Sequence, residues 1–356
     1  MRYDRTPSIT VGVIGLGYWG PNLLRVLADL PGVEIAWICD RDEQRLRRFA
    51  HRYPSARATT SMDDLFGDPT LDAVCVATPV FTHVDLCRRA LEAGKHTFVE
   101  KPLATSVQEA DQLLALAAER GRLLMCGHTF LYSPAVQAVK GMLDDGRLGD
   151  VLFVSSSRVN LGKHQRDISV VWDLGPHDFS ILLYWLDELP TTVRAVGRAS
   201  VVADIPDVAF VTLEFASRIV ASVELSWLAP CKLRRSVIVG SERMVIYEDG
   251  AIEPVRLYDS GVVYRDPATF GEYHLSYRTG DMLSPRLDAR EPLHAELSEF
   301  TAAIVTGDTL RERSRLARDV VMVTEAVEQS LRDAGRAVEI SPSGRFVRTA
   351  EPALAL

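Results

Sequence analysis

Residues 9–20 read ITVGVIGLGYWG, and this stretch decides the fold of the first part of the chain. Ile9–Ile14 is an apolar, β-rich run, and Gly15, Gly17 and Gly20 follow it in the pattern GxGxxG. Apolar residues at helical spacing come next, so the stretch predicts a strand, a tight glycine turn and a helix. A helix that begins at such a turn presents free N–H groups and the positive end of its dipole, which favour a bound pyrophosphate.

The same order of strand and helix repeats through the first third of the chain. Further apolar runs predict strands at 33–39, 72–77, 96–99 and 123–126, with helical patterns between them. Strands that are separated by helices of this length imply a parallel sheet with right-handed crossovers. We therefore predict a doubly wound, dinucleotide-binding Rossmann domain over residues 1–126.

The pattern changes after Gly127. Helical patterns occur at 134–145, 176–186, 292–306 and 316–334. β-Branched runs occur at 151–159 and repeatedly within 193–247, whereas 258–291 is polar and is predicted to form loops. We predict an α+β domain over residues 127–356 that contains a large, mostly antiparallel open sheet.

The composition limits the class of protein. At 356 residues the chain is longer than one hydrophobic core usually supports, which agrees with two domains. Its net charge of −8 argues against nucleic acid as a partner, because phosphate backbones need a basic surface. The five cysteines are scattered without a CxxC pair, so we expect reduced thiols and no metal site. Residues 1–8 are polar and no segment is apolar enough to span a bilayer, so we expect a cytoplasmic protein with no membrane partner.

The residues after the second predicted strand bear on the choice of cofactor. Asp40 lies where an acidic residue binds the adenosine ribose hydroxyls of a dinucleotide. A carboxylate at that place repels a 2′-phosphate, so we expect NAD rather than NADP. Arg41 and Arg45 leave NADP open, because a nearby arginine can bind that phosphate; otherwise they belong to the exposed face of a charged helix.

Two residues have the chemistry that alcohol oxidation needs, namely a base for the hydroxyl proton and a charge that stabilises the developing alkoxide. Lys101 follows the strand predicted at 96–99, at the edge where open α/β sheets bind ligands; the alternative is a solvated lysine. Pro176 suits the first turn of a helix, which would place His177 near the positive end of the dipole as a neutral base. We expect the two side chains, one from each domain, to converge beside a nicotinamide ring.

Three short motifs resemble a known family: ATP at 77–79 with His83, EKP at 100–102, and DLGPHD at 173–178. In this order behind the glycine turn, they resemble the Gfo/Idh/MocA oxidoreductases (glucose–fructose oxidoreductase, inositol dehydrogenase and rhizopine catabolism proteins) over nearly the whole chain. The resemblance implies a NAD-dependent enzyme that acts on sugar alcohols, with Lys101, Asp173 and His177 as catalytic residues. It implies cofactor contacts from Gly15, Leu16, Gly17, Tyr18, Trp19, Gly20, Asp40, Arg41, Thr78, Pro79, His83, Glu100 and Lys101.

Two further stretches bear on the substrate. RVNLG at 158–162 and WDLGPHD at 172–178 resemble the branch of the family that acts on nucleotide-activated sugars, often at C3. The substrate contacts that we infer are Lys101, His128, Arg158, Asn160, Trp172, Asp173 and His177. Arg158, Lys163 and Arg166 would supply the local positive charge that a diphosphate needs, or they line an exposed loop.

The sequence leaves other functions open. An inositol or free-aldose dehydrogenase would share the motifs without needing a nucleotide, and a catalytically silent regulator would keep only NAD binding. His128 and Trp172 have structural alternatives in the protein core. The family resemblance also implies a homodimer or homotetramer that forms through the open face of the C-terminal sheet.

Overall fold

A computed structural model describes residues 9–162, 164, 168–265, 274–341 and 343–347. The chain forms two compact units. The first unit comprises the described part of 1–132 together with 290–322, and the second comprises the described parts of 133–289 and 323–356.

Strands and helices alternate in the first part of the chain, and strands predominate in the middle of the second. The strands are β1 (Ile9–Ile14), β2 (Val33–Cys39), β3 (Arg57–Thr59), β4 (Ala73–Val76), β5 (His96–Glu100), β6 (Leu124–Gly127), β7 (Val151–Leu161), β8 (Pro190–Arg198), β9 (Val208–Phe215), β10 (Val220–Ser226), β11 (Leu228–Gly240), β12 (Met244–Glu248), β13 (Val255–Arg265), β14 (His274–Leu283), β15 (Val338–Ile340) and β16 (Phe346–Val347). The helices are α1 (Gly20–Asp29), α2 (Glu43–Arg52), α3 (Met62–Phe66), α4 (His83–Glu92), α5 (Val107–Arg120), α6 (Pro134–Asp144), α7 (Val170–Leu186), α8 (Pro292–Thr306) and α9 (Arg311–Arg332).

A parallel sheet forms the core of the first unit. Within the described residues, six strands lie in the order β3-β2-β1-β4-β5-β6, and every neighbouring pair is parallel. Val11, Val13, Val74 and Val99 on the central strands are fully buried. The doubly wound sheet that the sequence predicts is confirmed. The chain leaves β1, β4 and β5 at one edge of this sheet, where such folds bind ligands.

Helix α8 belongs to the first unit although it comes late in the sequence. Leu297 and Phe300 on this helix are fully buried, and the Phe300 ring packs edge-to-face on Phe98 of β5, with ring centroids 5.6 Å apart. The compact units therefore differ from the predicted division into 1–126 and 127–356, because the apolar face of α8 packs on the first sheet.

A second, larger sheet forms the core of the second unit. In the described part of the chain, ten strands lie in the order β14-β13-β12-β11-β7-β10-β9-β8-β15-β16. Strands β7 and β10 are parallel neighbours, and the other paired strands are antiparallel. The predicted α+β arrangement with a mostly antiparallel sheet is confirmed.

The helix that the sequence predicts from Pro176 begins earlier in the chain, at Val170. The side chain of Ser169 caps it by accepting an N–H from the first turn, and Val170 and Val171 are fully buried. Pro176 lies inside the helix, where it lacks the N–H that would bond the carbonyl one turn before it. The prediction was wrong because the serine cap and the buried valines outweigh the preference of proline for a helix start.

The polar stretch 258–291 is not the run of loops that the sequence predicts. Strands β13 and β14 pair within it in antiparallel fashion, and Val255 and Leu257 bury alternate side chains at the start of β13. The rest of this stretch has a polar sequence because the two strands lie at one end of the sheet, where less of the strand surface meets the core. Residues 266–273 lie outside the described part.

The cysteines form no disulfide: Cys39, Cys75, Cys87 and Cys126 are buried, and Cys231 is exposed. No helix among the described residues combines the length and apolarity needed to cross a membrane. In the same residues, no three His, Cys, Asp or Glu side chains are placed to hold a metal ion.

Candidate active site

The glycine turn of the first unit has two crowded positions and one open position. Gly15 has a φ of +92°, and a Cβ atom there would lie 2.5 Å from the carbonyl oxygen of Ala77. A Cβ atom on Gly20 would lie 1.9 Å from the carbonyl oxygen of Gly15. At Gly17 the nearest atom would be Arg45 Nη1, 3.9 Å away. Gly15 and Gly20 therefore shape the turn, and Gly17 leaves its backbone open to a ligand, which fits a dinucleotide.

Helix α1 begins directly after this turn. Trp19 is its N-cap, Pro21 lies in its first turn, and no described side chain caps it. Asn22 and Leu23 donate their N–H groups to the carbonyl oxygen of Trp19, and Pro21 has none, so the helix start would attract an anion such as a pyrophosphate mainly through the positive end of its dipole. Tyr18 is exposed and its ring stands edge-to-face on Trp19, with centroids 5.7 Å apart, whereas Leu16 is buried.

Asp40, at the end of β2, is fixed against the glycine turn. Its Oδ2 accepts a hydrogen bond of 2.6 Å from the Leu16 N–H, and its Oδ1 accepts one of 2.8 Å from the Asp42 N–H. Arg45 Nη1 lies 3.8 Å from Asp40 Oδ2, while Arg41 is exposed. The carboxylate predicted to bind the ribose is therefore next to the turn, with the guanidinium of Arg45 beside it.

His83 joins the loops that follow β4 and β5. Its Nδ1 lies 2.8 Å from the carbonyl oxygen of Pro102, and its Nε2 lies 2.9 Å from that of Thr78. The ring is buried, and this burial lowers its pKa. The hydroxyl of Thr82 donates to the carbonyl oxygen of Pro79, which fixes the first loop further. Both ring nitrogens therefore face carbonyl oxygens, so the side chain positions the two loops, and its contact with a cofactor stays a prediction.

Strand β5 ends at Glu100, and Lys101 follows it with its side chain half-buried. The peptide bond between Lys101 and Pro102 is cis. Glu100 is 6% exposed, and burial raises its pKa to about 7 against the opposing effect of the Lys101 charge. His128 is 4% exposed, and burial, aided by the charge of Lys101, lowers its pKa to about 3. Lys101 thus lies beside a buried acid and a buried neutral imidazole.

Helix α7 of the second unit carries the other predicted catalytic residues. Asp173 and His177 lie one turn apart on this continuous helix, so their side chains share a face. Asp173 Oδ2 accepts a hydrogen bond of 3.0 Å from Trp227 Nε1. His177 does not lie in the first turn, so the predicted effect of the helix dipole on its ring is wrong. Lys101 belongs to the first unit, and Asp173 and His177 belong to the second.

Arg158 is part of a buried ion pair. Its Nε donates to Asp178 Oδ2, and the arginine is 2% exposed. Ser156 Oγ donates to Asp178 Oδ1 at 2.6 Å and lies 2.9 Å from Ser236 Oγ. The expectation that Arg158 contacts a substrate diphosphate is corrected, because its guanidinium holds α7 on the sheet through Asp178.

The two other described residues that we predict to contact substrate in the second unit are less buried than Arg158. Asn160, near the end of β7, and Trp172, on the first turn of α7, are half-buried. Lys163 and Arg166 lie outside the described residues.

Two side chains, one in each unit, make contacts that the sequence did not predict. Trp227 donates to Asp173, and a Cβ atom on Gly162 would lie 2.6 Å from Trp227 Cδ1, so the glycine lets the indole pack. Glu296 of α8 is fully buried and accepts a hydrogen bond of 2.7 Å from Thr129 Oγ1. A glutamate within the apolar stripe of a helix was the signal available for Glu296, and no short pattern indicates the partner of Trp227.

Two family descriptions match the chain in succession. Residues 9–128 match "Oxidoreductase family, NAD-binding Rossmann fold", and residues 136–246 match "GFO/IDH/MocA C-terminal domain". The chain belongs to the Gfo/Idh/MocA family of oxidoreductases.

Individual relatives align with between about half and nearly all of this chain. The UDP-N-acetylglucosamine 3-dehydrogenase of Acidithiobacillus ferrooxidans is 31% identical over 233 residues, which are 65% of this chain and 71% of that protein. The uncharacterized oxidoreductase YdgJ of Escherichia coli K12 is 34% identical over 191 residues, which are 50% of this chain and 54% of that protein. The chain therefore matches only about half the length of YdgJ. The crystal structure of GenD2 from gentamicin A biosynthesis in complex with NAD aligns with a TM-score of 0.80 and 27% identity, over 95% of this chain and 98% of that one.

Proposed function

We propose that this protein transfers a hydride between a secondary alcohol carbon of a sugar and the nicotinamide of NAD. One observation carries the proposal: in the first unit, the open glycine turn after β1 and Lys101 after β5 lie at the same edge of the parallel sheet, with only β4 between their strands. The turn and Asp40 would hold the dinucleotide, whose nicotinamide accepts or returns the hydride when bound.

The chain's own residues would handle the proton and the charge. His177 accepts the hydroxyl proton as the alcohol is oxidised and returns it in the reverse direction. Asp173, one turn before it and fixed by Trp227, orients the imidazole or binds a neighbouring hydroxyl. The ammonium group of Lys101 stabilises the negative charge that develops on the substrate oxygen.

NAD is the preferred dinucleotide in this proposal. The Asp40 carboxylate would bind the ribose hydroxyls and repel a 2′-phosphate. Arg45, 3.8 Å from that carboxylate, offsets part of the repulsion, so NADP would bind more weakly without being rejected outright.

The substrate class that we propose is a nucleotide-activated sugar that is oxidised or reduced at C3. The similarity to a UDP-N-acetylglucosamine 3-dehydrogenase supports this class. Since Arg158 is engaged with Asp178, the charge for a diphosphate must come from other residues. Asn160 and Trp172 are the half-buried candidates for contacts with the sugar.

A substrate screen tests this function. Purified protein is incubated with NAD and a panel of UDP- and dTDP-hexoses, free aldoses and inositol, and NADH formation is followed by absorbance. We expect oxidation of one or more nucleotide hexoses, and mass spectrometry should show a product that has lost two hydrogen atoms. Turnover of inositol or free sugars alone would reject the nucleotide-sugar class, and NAD binding without any turnover would favour a silent regulator.

We also propose that the protein assembles as a homodimer or homotetramer through the open face of its second sheet. Phe153, Phe210 and Val220 are exposed on neighbouring strands, in register on one face with Glu224 and Glu214. Light scattering after size-exclusion chromatography should give a multiple of the 39.4 kDa chain mass. A monomeric mass would contradict this assembly.

A further inference from the structure

Buried acid–base side chains lie next to Lys101 in the first unit. Glu100 pairs with Gly127 in the register of β5 and β6, so His128, which follows Gly127, comes beside Lys101 at the same sheet edge. Helix α8 adds Glu296, whose pKa is raised by burial and further by the like charge of Glu100. We call Glu100, His128 and Glu296 the buried acid cluster.

Four polar atoms of this cluster have no hydrogen-bond partner among the described residues. They are Glu100 Oε1, both ring nitrogens of His128, and Glu296 Oε1. Buried polar atoms without a protein partner are commonly satisfied by ordered water, and leaving four of them unpaired in one place would be costly. The cluster therefore has the composition of an enclosed water site.

The members of the cluster differ in charge. Burial lowers the pKa of His128 to about 3, so its ring is neutral at neutral pH, and burial raises the pKa of Glu296 well above its ordinary value, which favours its protonated form. Burial raises the pKa of Glu100 only to about 7, because the Lys101 ammonium opposes the effect. Glu100 is therefore the member that ionises near neutral pH.

The groups that face this cluster from neighbouring elements leave Lys101 as its positive partner. They are Lys101 after β5, Cys75 on β4, Cys126 on β6, Tyr132 a few residues after β6, Glu299 on α8 and Arg313 on α9, and burial raises the pKa of the Tyr132 hydroxyl so that it stays neutral. Burial raises the pKa of both thiols, so they are neutral. Arg313 Nε lies 3.3 Å from Glu299 Oε2 and is balanced by that carboxylate.

We propose that the buried acid cluster encloses ordered water, and that the Glu100 carboxylate acts through this water as the counter-charge that holds the Lys101 ammonium in place for substrate. Glu100 is thus a positioning residue that acts through Lys101. The benefit for catalysis rests on the proposed function, whereas the charge pairing does not.

Chemical labelling tests the charge pairing without any substrate. Acetic anhydride acylates the neutral amine of a lysine, and mass spectrometry of the Lys101 peptide gives the rate at slightly alkaline pH. Loss of an adjacent carboxylate favours the neutral amine, so Glu100→Gln should accelerate labelling of Lys101 by about tenfold. Glu296→Gln should leave the rate near that of the wild type, because burial favours the protonated form of this acid. Asp319→Asn is the matched control, since burial raises the pKa of Asp319 as well but its charge partners are Arg318 and Arg315.

The outcomes separate this inference from the proposed function. If Glu100→Gln is labelled at the wild-type rate, the pairing of Glu100 with Lys101 is overturned. If Glu296→Gln accelerates labelling of Lys101 as much as Glu100→Gln does, the assignment of the charge to Glu100 is overturned. Accelerated labelling in a protein that oxidises no sugar would support the pairing and reject the function. With an active substrate in hand, Glu100→Gln should flatten the acid limb of the kcat/KM profile near neutral pH, and Glu100→Asp should restore a limb. A high-resolution crystal structure without water at any of the four unpaired atoms would overturn the enclosed water site.

Discussion

Two sites of buried charge, one in each unit, are satisfied in opposite ways. In the second unit, Arg158 and Asp178 lie out of solvent and pair with each other, and Ser156 completes the carboxylate's hydrogen bonds. In the first unit, Glu100 and Glu296 are buried with an oxygen that no described residue satisfies. The ion pair fixes α7 on its sheet. Buried acids that have an unsatisfied oxygen lower stability instead, and they are retained where the carboxyl group binds water, a ligand or a neighbouring ammonium.

The largest of the predicted effects comes from removing one partner of the buried ion pair in the second unit. Arg158→Ala leaves Asp178 buried without its cation, so the free energy of unfolding should fall by about 3–5 kcal/mol. Urea unfolding followed by circular dichroism measures this loss. Arg194→Ala is the matched control, because its pair with Glu214 at 3.7 Å is exposed and should contribute less than about 1 kcal/mol. Equal losses in the two variants would contradict the structural role of Arg158.

The next prediction is a gain in stability rather than a loss, and it concerns the buried acid Glu100 of the first unit. The folded protein holds the proton of Glu100 more tightly than the unfolded chain does, because burial raises its pKa from 4.5 to about 7. That stability is fully present below about pH 4.5 and is lost as the pH rises through 7, by up to about 3 kcal/mol. Glu100→Gln removes this loss, so the variant should gain stability relative to the wild type across that window. Urea unfolding at several pH values measures the difference.

Two features make this difference specific to Glu100. His128 titrates in both proteins and Glu100 makes no contribution to its pKa, so its effect on stability cancels in the comparison. Glu34→Gln serves as the control, because Glu34 is exposed on β2 and its replacement should not change the pH dependence. A stability difference between wild type and Glu100→Gln that stays constant with pH would show that Glu100 keeps an ordinary pKa.

The smallest effect concerns an acid of the first unit that is paired. Asp40→Ala removes the carboxylate next to Arg45, so the preference for NAD over NADP should fall by about tenfold, or about 1.4 kcal/mol. Binding titrations with both dinucleotides measure the ratio. The double variant Asp40→Ala/Arg45→Ala should lose part of the gain for NADP, because the guanidinium that would bind the 2′-phosphate is then absent. An unchanged ratio in Asp40→Ala would mean that its carboxylate does not face the ribose.

Strong local signals made much of the fold predictable. β1, β2 and α8 have the predicted bounds, because each is an apolar pattern that ends at glycine, proline or charged residues. The start of α7 was missed, because proline inside a helix is costly and only tertiary packing of Val170 and Val171 makes it acceptable. The strands within 258–291 were missed because they lie toward one end of a sheet, where alternation of apolar side chains fades.

The candidate site was predictable to the extent that its chemistry is local. The glycine turn is a continuous motif, and the structure forms it between β1 and α1 as the sequence predicts. The pairing of Arg158 with Asp178, the bridging role of His83 and the burial of Glu296 join residues that are far apart in the sequence. Such contacts depend on the register of strands and helices, which a single sequence does not specify.

In the proposed function, the Lys101 ammonium and the His177 imidazole both take part in the reaction of the sugar. The most direct measurement is kcat/KM for the best nucleotide sugar of the screen, in Lys101→Ala and His177→Ala, with NAD affinity and melting temperature determined on the same samples and Arg194→Ala as the surface control. The account predicts a loss of about 100-fold or more in each variant, with folding retained, because positioned acid–base groups contribute on that scale. Activity near that of the wild type in either folded variant would remove that residue from the reaction and contradict the account.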